Sequence, residues 1–92
     1  MEDQKIIITV TGQDKVGIVA AFASIIAEYQ VNIEDIRQSI MQGHFVMIMM
    51  ADFSKSKTSF QEFKQSLLNL GKEMSMEVWV QRKQIIDKMH TI

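Results

Sequence analysis

Thr11-Gly12-Gln13-Asp14-Lys15-Val16-Gly17-Ile18-Val19 is the stretch on which the reading of this chain turns. Before it, Lys5 to Thr11 is short, apolar and β-branched, the composition of a buried strand. After it, apolar residues recur at helical spacing from Val16 to Gln30. A strand that ends in a polar loop and hands over to a helix makes a candidate anion site. The first N–H groups of the helix have no partner inside it, and the helix dipole favours negative charge there. Asn32-Ile33, fifteen residues beyond Gly17, is expected to return to the neighbourhood of this loop.

The same periodicity sorts the first helix into faces. Ile18, Val19, Phe22, Ile25, Ile26 and Tyr29 form a wide face of large residues, suited to a sheet. Val16, Ala20, Ala23 and Ala27 form a neighbouring stripe, small enough to let a second helix approach closely. Val31 to Met41 reads as the second strand, with a slip of apolar phase that predicts a bulge near Glu34-Asp35. Gln42-Gly43 is a hairpin turn. His44 to Asp52 is the third strand, and its run Phe45-Val46-Met47-Ile48-Met49-Met50-Ala51 requires cover on both faces.

After a polar loop, either Thr58 with Gln61 or Ser59 with Glu62 opens the second helix as a capping box. Phe60, Phe63, Leu67, Leu70 and Met74 give that helix one apolar face, and Gly71 is expected to end or loosen its last turn. Ser75 to Arg82 alternates, with Met76, Val78 and Val80 on a dry face against Glu77, Trp79 and Gln81. A tail follows, in which Ile85, Met89 and Ile92 are spaced for one face of a short helix.

The order βαββαβ, with right-handed crossovers, gives an α+β fold: a ferredoxin-like sandwich with a four-stranded antiparallel sheet and two helices on one face. A short C-terminal helix completes it. One domain spans 1–92, with a core over 5–80 and a tail over 81–92. The face opposite the helices would be bare and apolar, which a monomer rarely tolerates. A homodimer is expected, with the tail contributing to the cover.

Composition narrows the function. The chain has 92 residues, no cysteine and a net charge of −1. Thiolate metal sites and thiol redox chemistry are excluded, and a reducing compartment, the cytoplasm, is the expected location. Nucleic acid is not an expected partner, since phosphate binding needs a basic surface. No apolar run approaches the roughly 20 residues that span a bilayer, so no membrane partner is expected. His44 and His90 lack neighbours at metal-ligand spacing, and Met47, Met49 and Met50 suit a core or interface better than a soft-metal site. No metal, cofactor or catalytic residue is assigned. There is no nucleophile–base constellation, no G-x-S-x-G elbow and no P-loop.

The chain resembles the ACT domain family. The resemblance rests on Ile8-Thr9-Val10 leading into Asp14-Lys15-Val16-Gly17-Ile18-Val19-Ala20, then Ile26-Ala27-Glu28, then Val31-Asn32-Ile33, and covers roughly Lys5 to Val80. Formyltetrahydrofolate deformylases and glycine-cleavage regulators share the D-x-x-G-I-V-A run in their ACT segments. Over its whole length the chain is similar to small stand-alone ACT proteins of bacteria and archaea. Many ACT domains carry proline before the motif glycine, where this chain has Val16.

The resemblance implies a regulatory module that binds a small metabolite, an amino acid, where two domains meet. The ligand set it implies is Gly12, Gln13, Asp14, Lys15, Val16, Gly17 and Ile18 from the loop, with Asn32 and Ile33. Amides near Gly17 and Ile18 would take the ligand carboxylate, and the Asn32 amide its polar groups. Asp14 would pair with an ammonium or cap the helix. The alternative is a protein–protein interaction module with no small ligand. On that reading Asp14 is only a cap and Gly17 only permits close helix–sheet packing.

Overall fold

Ile6, Ile8 and Val10 alternate with Lys5, Ile7 and Thr9, and a computed structural model, which describes residues 4–83, shows what that alternation builds. The elements are β1 (Lys5–Gln13), α1 (Ile18–Glu28), β2 (Asn32–Met41), β3 (His44–Asp52), α2 (Phe60–Met74) and β4 (Glu77–Arg82). The strands form one antiparallel sheet in the order β2-β3-β1-β4, the ferredoxin-like arrangement. Ile6, Ile8 and Val10 of β1, Phe45, Met47, Met49 and Ala51 of β3, and Val80 of β4 are buried beneath the helices. Ile18, Phe22 and Ile26 of α1 and Phe63 and Leu67 of α2 close this core from above. The short C-terminal helix expected from Ile85, Met89 and Ile92 lies outside the described residues.

The turns match their residue types. Gln42 and Gly43 both hold positive φ, 51° and 80°, the two-residue turn that follows strand twist. The bulge falls where the apolar phase slips: β2 and β3 lose register between Ile33 and Asp35, leaving Glu34 as the extra residue. Of the two candidate caps, Ser59 opens α2, its hydroxyl accepting from the Glu62 N–H at 3.1 Å.

Three local expectations are corrected. Gly71 neither ends nor loosens α2, which runs on to Met74. Its role is close approach to β4: a Cβ there would stand 2.5 Å from Val78 Cγ2 and 3.0 Å from the Met76 carbonyl oxygen. The helix α1 starts at Ile18, not Val16, because Gly17 at φ 89° turns the chain into it. The alanine stripe does not receive α2. That helix meets the large-residue face instead, where Tyr29 packs edge-on to Phe63 at 5.5 Å and its hydroxyl bonds Ser66. Ala20 and Ala27 remain exposed beside the free edge of the sheet.

Candidate functional site

The polar loop leaves β1 at Gln13, is held by two hydrogen bonds and ends on a left-handed glycine. The Asp14 N–H donates to the Gly43 carbonyl at 2.8 Å, tying the loop to the β2–β3 hairpin. The Lys15 ammonium donates to the Met74 carbonyl at the C-terminal end of α2, where the helix dipole favours a cation. Gly17 supplies the left-handed step that only glycine takes without strain. A Cβ on Gly17 would meet nothing within 4 Å, so this glycine serves backbone conformation and not close packing.

Helix α1 therefore begins without a side-chain cap. Asp14 does not cap it, contrary to one expectation. The Ala21 N–H bonds the Gly17 carbonyl at 3.0 Å, which leaves the N–H groups of Ile18, Val19 and Ala20 as the unpaired first turn. Those groups stand at a hollow of about 580 Å³, bounded by Asp14, Lys15, Gly17, Ile18, Val19 and Ala20 on one side and by Gln38, Ser39, Ile40 and Phe45 on the other. A carboxylate fits the N–H end of such a hollow, and exposed Asp14 is among the residues that line it, an acidic group suited to an ammonium.

The expected ligand residues separate into three groups. Asp14, Lys15, Gly17 and Ile18 line the hollow. Gly12 and Gln13 belong to the end of β1, paired with Phe45 and His44, and Val16 is 99% exposed beside the loop. Asn32 and Ile33 lie elsewhere. Asn32 pairs with Asp52 at the Lys5 end of the sheet, whereas the loop leaves from the Gln13 end. The two ends are about 26 Å apart at about 3.3 Å per residue. The cause is simple: α1 carries the chain back along the sheet, so the strand after it starts at the opposite end. Within one chain, Asn32 and Gly17 do not meet.

Four lining residues of β2 and β3, Gln38, Ser39, Ile40 and Phe45, were not among those expected. Gln38 carried a usable signal. It sits on the β2 face that also bears Ile33, Ile36 and Ile40, a polar side chain in an apolar row. Asn32 lines its own hollow of about 440 Å³ with Gln30, Asp52 and Lys55. The Ser54 N–H, donating to Asp52 at 2.9 Å, holds the Asp52 carboxyl below its ordinary range, assisted by the Ser54 hydroxyl and the nearby Lys5 ammonium. His44 lies on the other face of the sheet, bonded to the Thr11 hydroxyl at 2.7 Å, and His90 lies outside the described residues.

The sequence and the fold have known counterparts. A UPF0237 protein of Methanosarcina mazei is 45% identical over 92 residues, covering all of both chains. An ACT domain protein from Streptococcus pneumoniae superposes with a TM-score of 0.77 at 34% identity, over 89% of this chain and 92% of that one. The fold alone extends to two larger proteins. A formyltetrahydrofolate deformylase from Burkholderia mallei gives a TM-score of 0.78 at 9% identity, over 86% of this chain and 28% of that one. A putative glycine cleavage system transcriptional repressor gives 0.77 at 23%, over 86% and 45%. The family model for the ACT domain matches residues 4–81, and with that match over nearly all the described residues the chain belongs to the ACT domain family, whose domains are regulatory ligand-binding modules.

Proposed function

We propose that this protein is a homodimeric regulatory module that binds an amino acid beside Gly17 and carries out no catalysis. The observation that carries the reading is the uncapped start of α1 opening into a hollow of about 580 Å³. Its N–H groups suit the ligand carboxylate, and Asp14 suits the ammonium. The polar groups around the hollow are recognition groups, and His44 faces away from them on the far side of the sheet. The absence of cysteine agrees with work in the cytoplasm.

The dimer restores the missing half of the site. β2 is an edge strand, and exposed Ile36 and Ile40 stand along it with Val19 of α1 beside them. Two β2 edges that pair antiparallel about a twofold axis exchange their ends. The start of the partner's β2, with Asn32 and Ile33, then comes alongside the Gln38–Ile40 wall of the hollow. Such pairing covers the exposed edge, and the exposed Ala20 and Ala27 let the two α1 helices approach. A bound metabolite would touch both subunits and so bias how they fit.

Thermal melting of the full chain against each of the twenty amino acids tests this. A ligand at 100 times its Kd adds about 2.7 kcal/mol of stability. At least one amino acid is expected to raise the Tm, and Asn32→Ala, at an exposed position, should abolish the shift without lowering the unliganded Tm. A flat response to all twenty would end the amino-acid reading. The second reading, an interaction module without a ligand, is favoured by the outer face of the sheet, on which no described element packs, and would survive that result.

A further inference from the structure

The face of the sheet opposite α1 and α2 carries Ile7 from β1, Val46, Ile48 and Met50 from β3, and Trp79 from β4. Ile48 is 45% exposed and Trp79 47%, and no described element packs on them. The strand register sets this face in rows. Arg37, Ile48, Thr9 and Trp79 form one row across all four strands. Arg37 thus stands on one edge at the same height as Trp79 on the other. Beside Arg37 is a shallow, mainly apolar hollow of about 150 Å³, bounded also by Gln38, Ser39, Val46 and Ile48. One face therefore bears both a half-exposed ring and a hollow, on opposite sides of its midline.

We propose that a second copy of the chain covers this face, sheet against sheet, about a twofold axis running parallel to the strands between β1 and β3. That rotation lays each β4 over the other copy's β2 and leaves heights along the strands unchanged. The partner's Trp79 then enters the hollow with its ring against the Arg37 guanidinium, and symmetry makes the contact twice. Sheets stacked this way lie about 10 Å apart with a twist of about 30°, which the two rings accommodate. The other in-plane twofold, running across the strands through this row, would set Arg37 against the partner's Arg37, and like charge disfavours it. Four strands at about 4.8 Å and eight steps at about 3.3 Å give a face on the order of 500 Å² per copy. Such an area lies at the low end for specific interfaces, so the association is reversible and concentration-dependent. The proposal does not rest on the ligand reading, although its hollow shares Gln38 and Ser39 of β2 with the hollow beside Gly17.

Trp79 is the sole tryptophan, so its fluorescence reports on this face alone. Sedimentation mass and tryptophan emission of the full chain are measured over a range of concentrations, beside Trp79→Arg and Arg37→Glu. Both substitutions are at solvent-exposed positions of edge strands, and Arg37→Glu removes no core contact. The wild-type emission should move to the blue as the mass doubles. Each variant should halve the mass at high concentration, from four copies to two if the β2 edges also pair, or from two to one if they do not. An unchanged mass in both variants would overturn the proposal. So would a blue emission independent of concentration, which would assign the cover to the chain's own C-terminal residues.

Discussion

Gly17 holds φ 89° and ψ 5°, and nothing approaches the place where a Cβ would be. Any substitution there therefore reads backbone conformation alone. Gly17→Ala is expected to cost about 1 kcal/mol, the strain of an L residue in the left-handed region less the entropy that alanine removes from the unfolded chain. Gly17→Asn should cost clearly less, because asparagine visits that region more readily. Denaturant midpoints at constant slope check both, and equal losses would contradict the conformational reading. The motif glycine was legible in the sequence, but its reason was not, since packing and positive φ ask for the same residue. Asp52 gives a second prediction at this scale. Its folded-state pKa lies below the ordinary value of 3.8, chiefly through the Ser54 N–H. A depressed carboxyl contributes stability that is complete above the unfolded pKa and is lost as pH falls through the folded one. Acidification through 3.8 and below should lower the denaturant midpoint of the wild type more steeply than that of Asp52→Asn.

Both helices end on a left-handed residue that is not glycine. Gln30 at φ 60° follows α1, and Ser75 at φ 59° follows α2. In each case the next N–H reaches back to close the helix: Val31 to the Ile26 carbonyl at 3.1 Å, and Met76 to the Gly71 carbonyl at 2.7 Å. This is the six-to-one bond of a Schellman ending, in a form that favours glycine at the turn. Gln30→Gly and Ser75→Gly should each stabilise the protein by about 0.5–1 kcal/mol, read as a rise in Tm, since they relieve that strain. A fall in Tm for both would show that the side chains matter more than the backbone. The same endings explain what was illegible at this scale. The one glycine near a helix end, Gly71, lies inside α2 because Val78 needs the room, so it gave a false stop. By contrast, both ends of β3 are legible, because its doubly apolar run is bounded by the Gln42-Gly43 turn on one side and by Asp52 on the other.

At the scale of the molecule, the loop and Asn32 sit at opposite ends of one sheet, and this is what the letters could not convey. Linear spacing shows that two segments flank a helix, but the helix length decides which end each occupies. Eleven residues span about 16 Å, enough to move the chain well along the sheet. The ferredoxin-like order was legible because each element's periodicity was strong, whereas on the dimeric reading proposed above half of the site would come from a symmetry operation that no single sequence displays. The edge pairing that would complete it can be tested without a ligand, because the chain has no cysteine of its own. Single cysteines placed in turn at Asp35, Ile36, Arg37 and Gln38 scan the middle of β2. Directly opposed residues in antiparallel strands have Cβ atoms about 4.5–5.5 Å apart, whereas a disulfide needs about 3.5–4.5 Å, so only a cysteine next to the twofold axis reaches its own copy with a small adjustment. Mild oxidation should link one of the four efficiently and its neighbours progressively less. Equal linking at all four would mean random collision. No linking at any would count against an antiparallel β2 pair centred on this stretch, and so against the route by which Asn32 reaches the hollow beside Gly17.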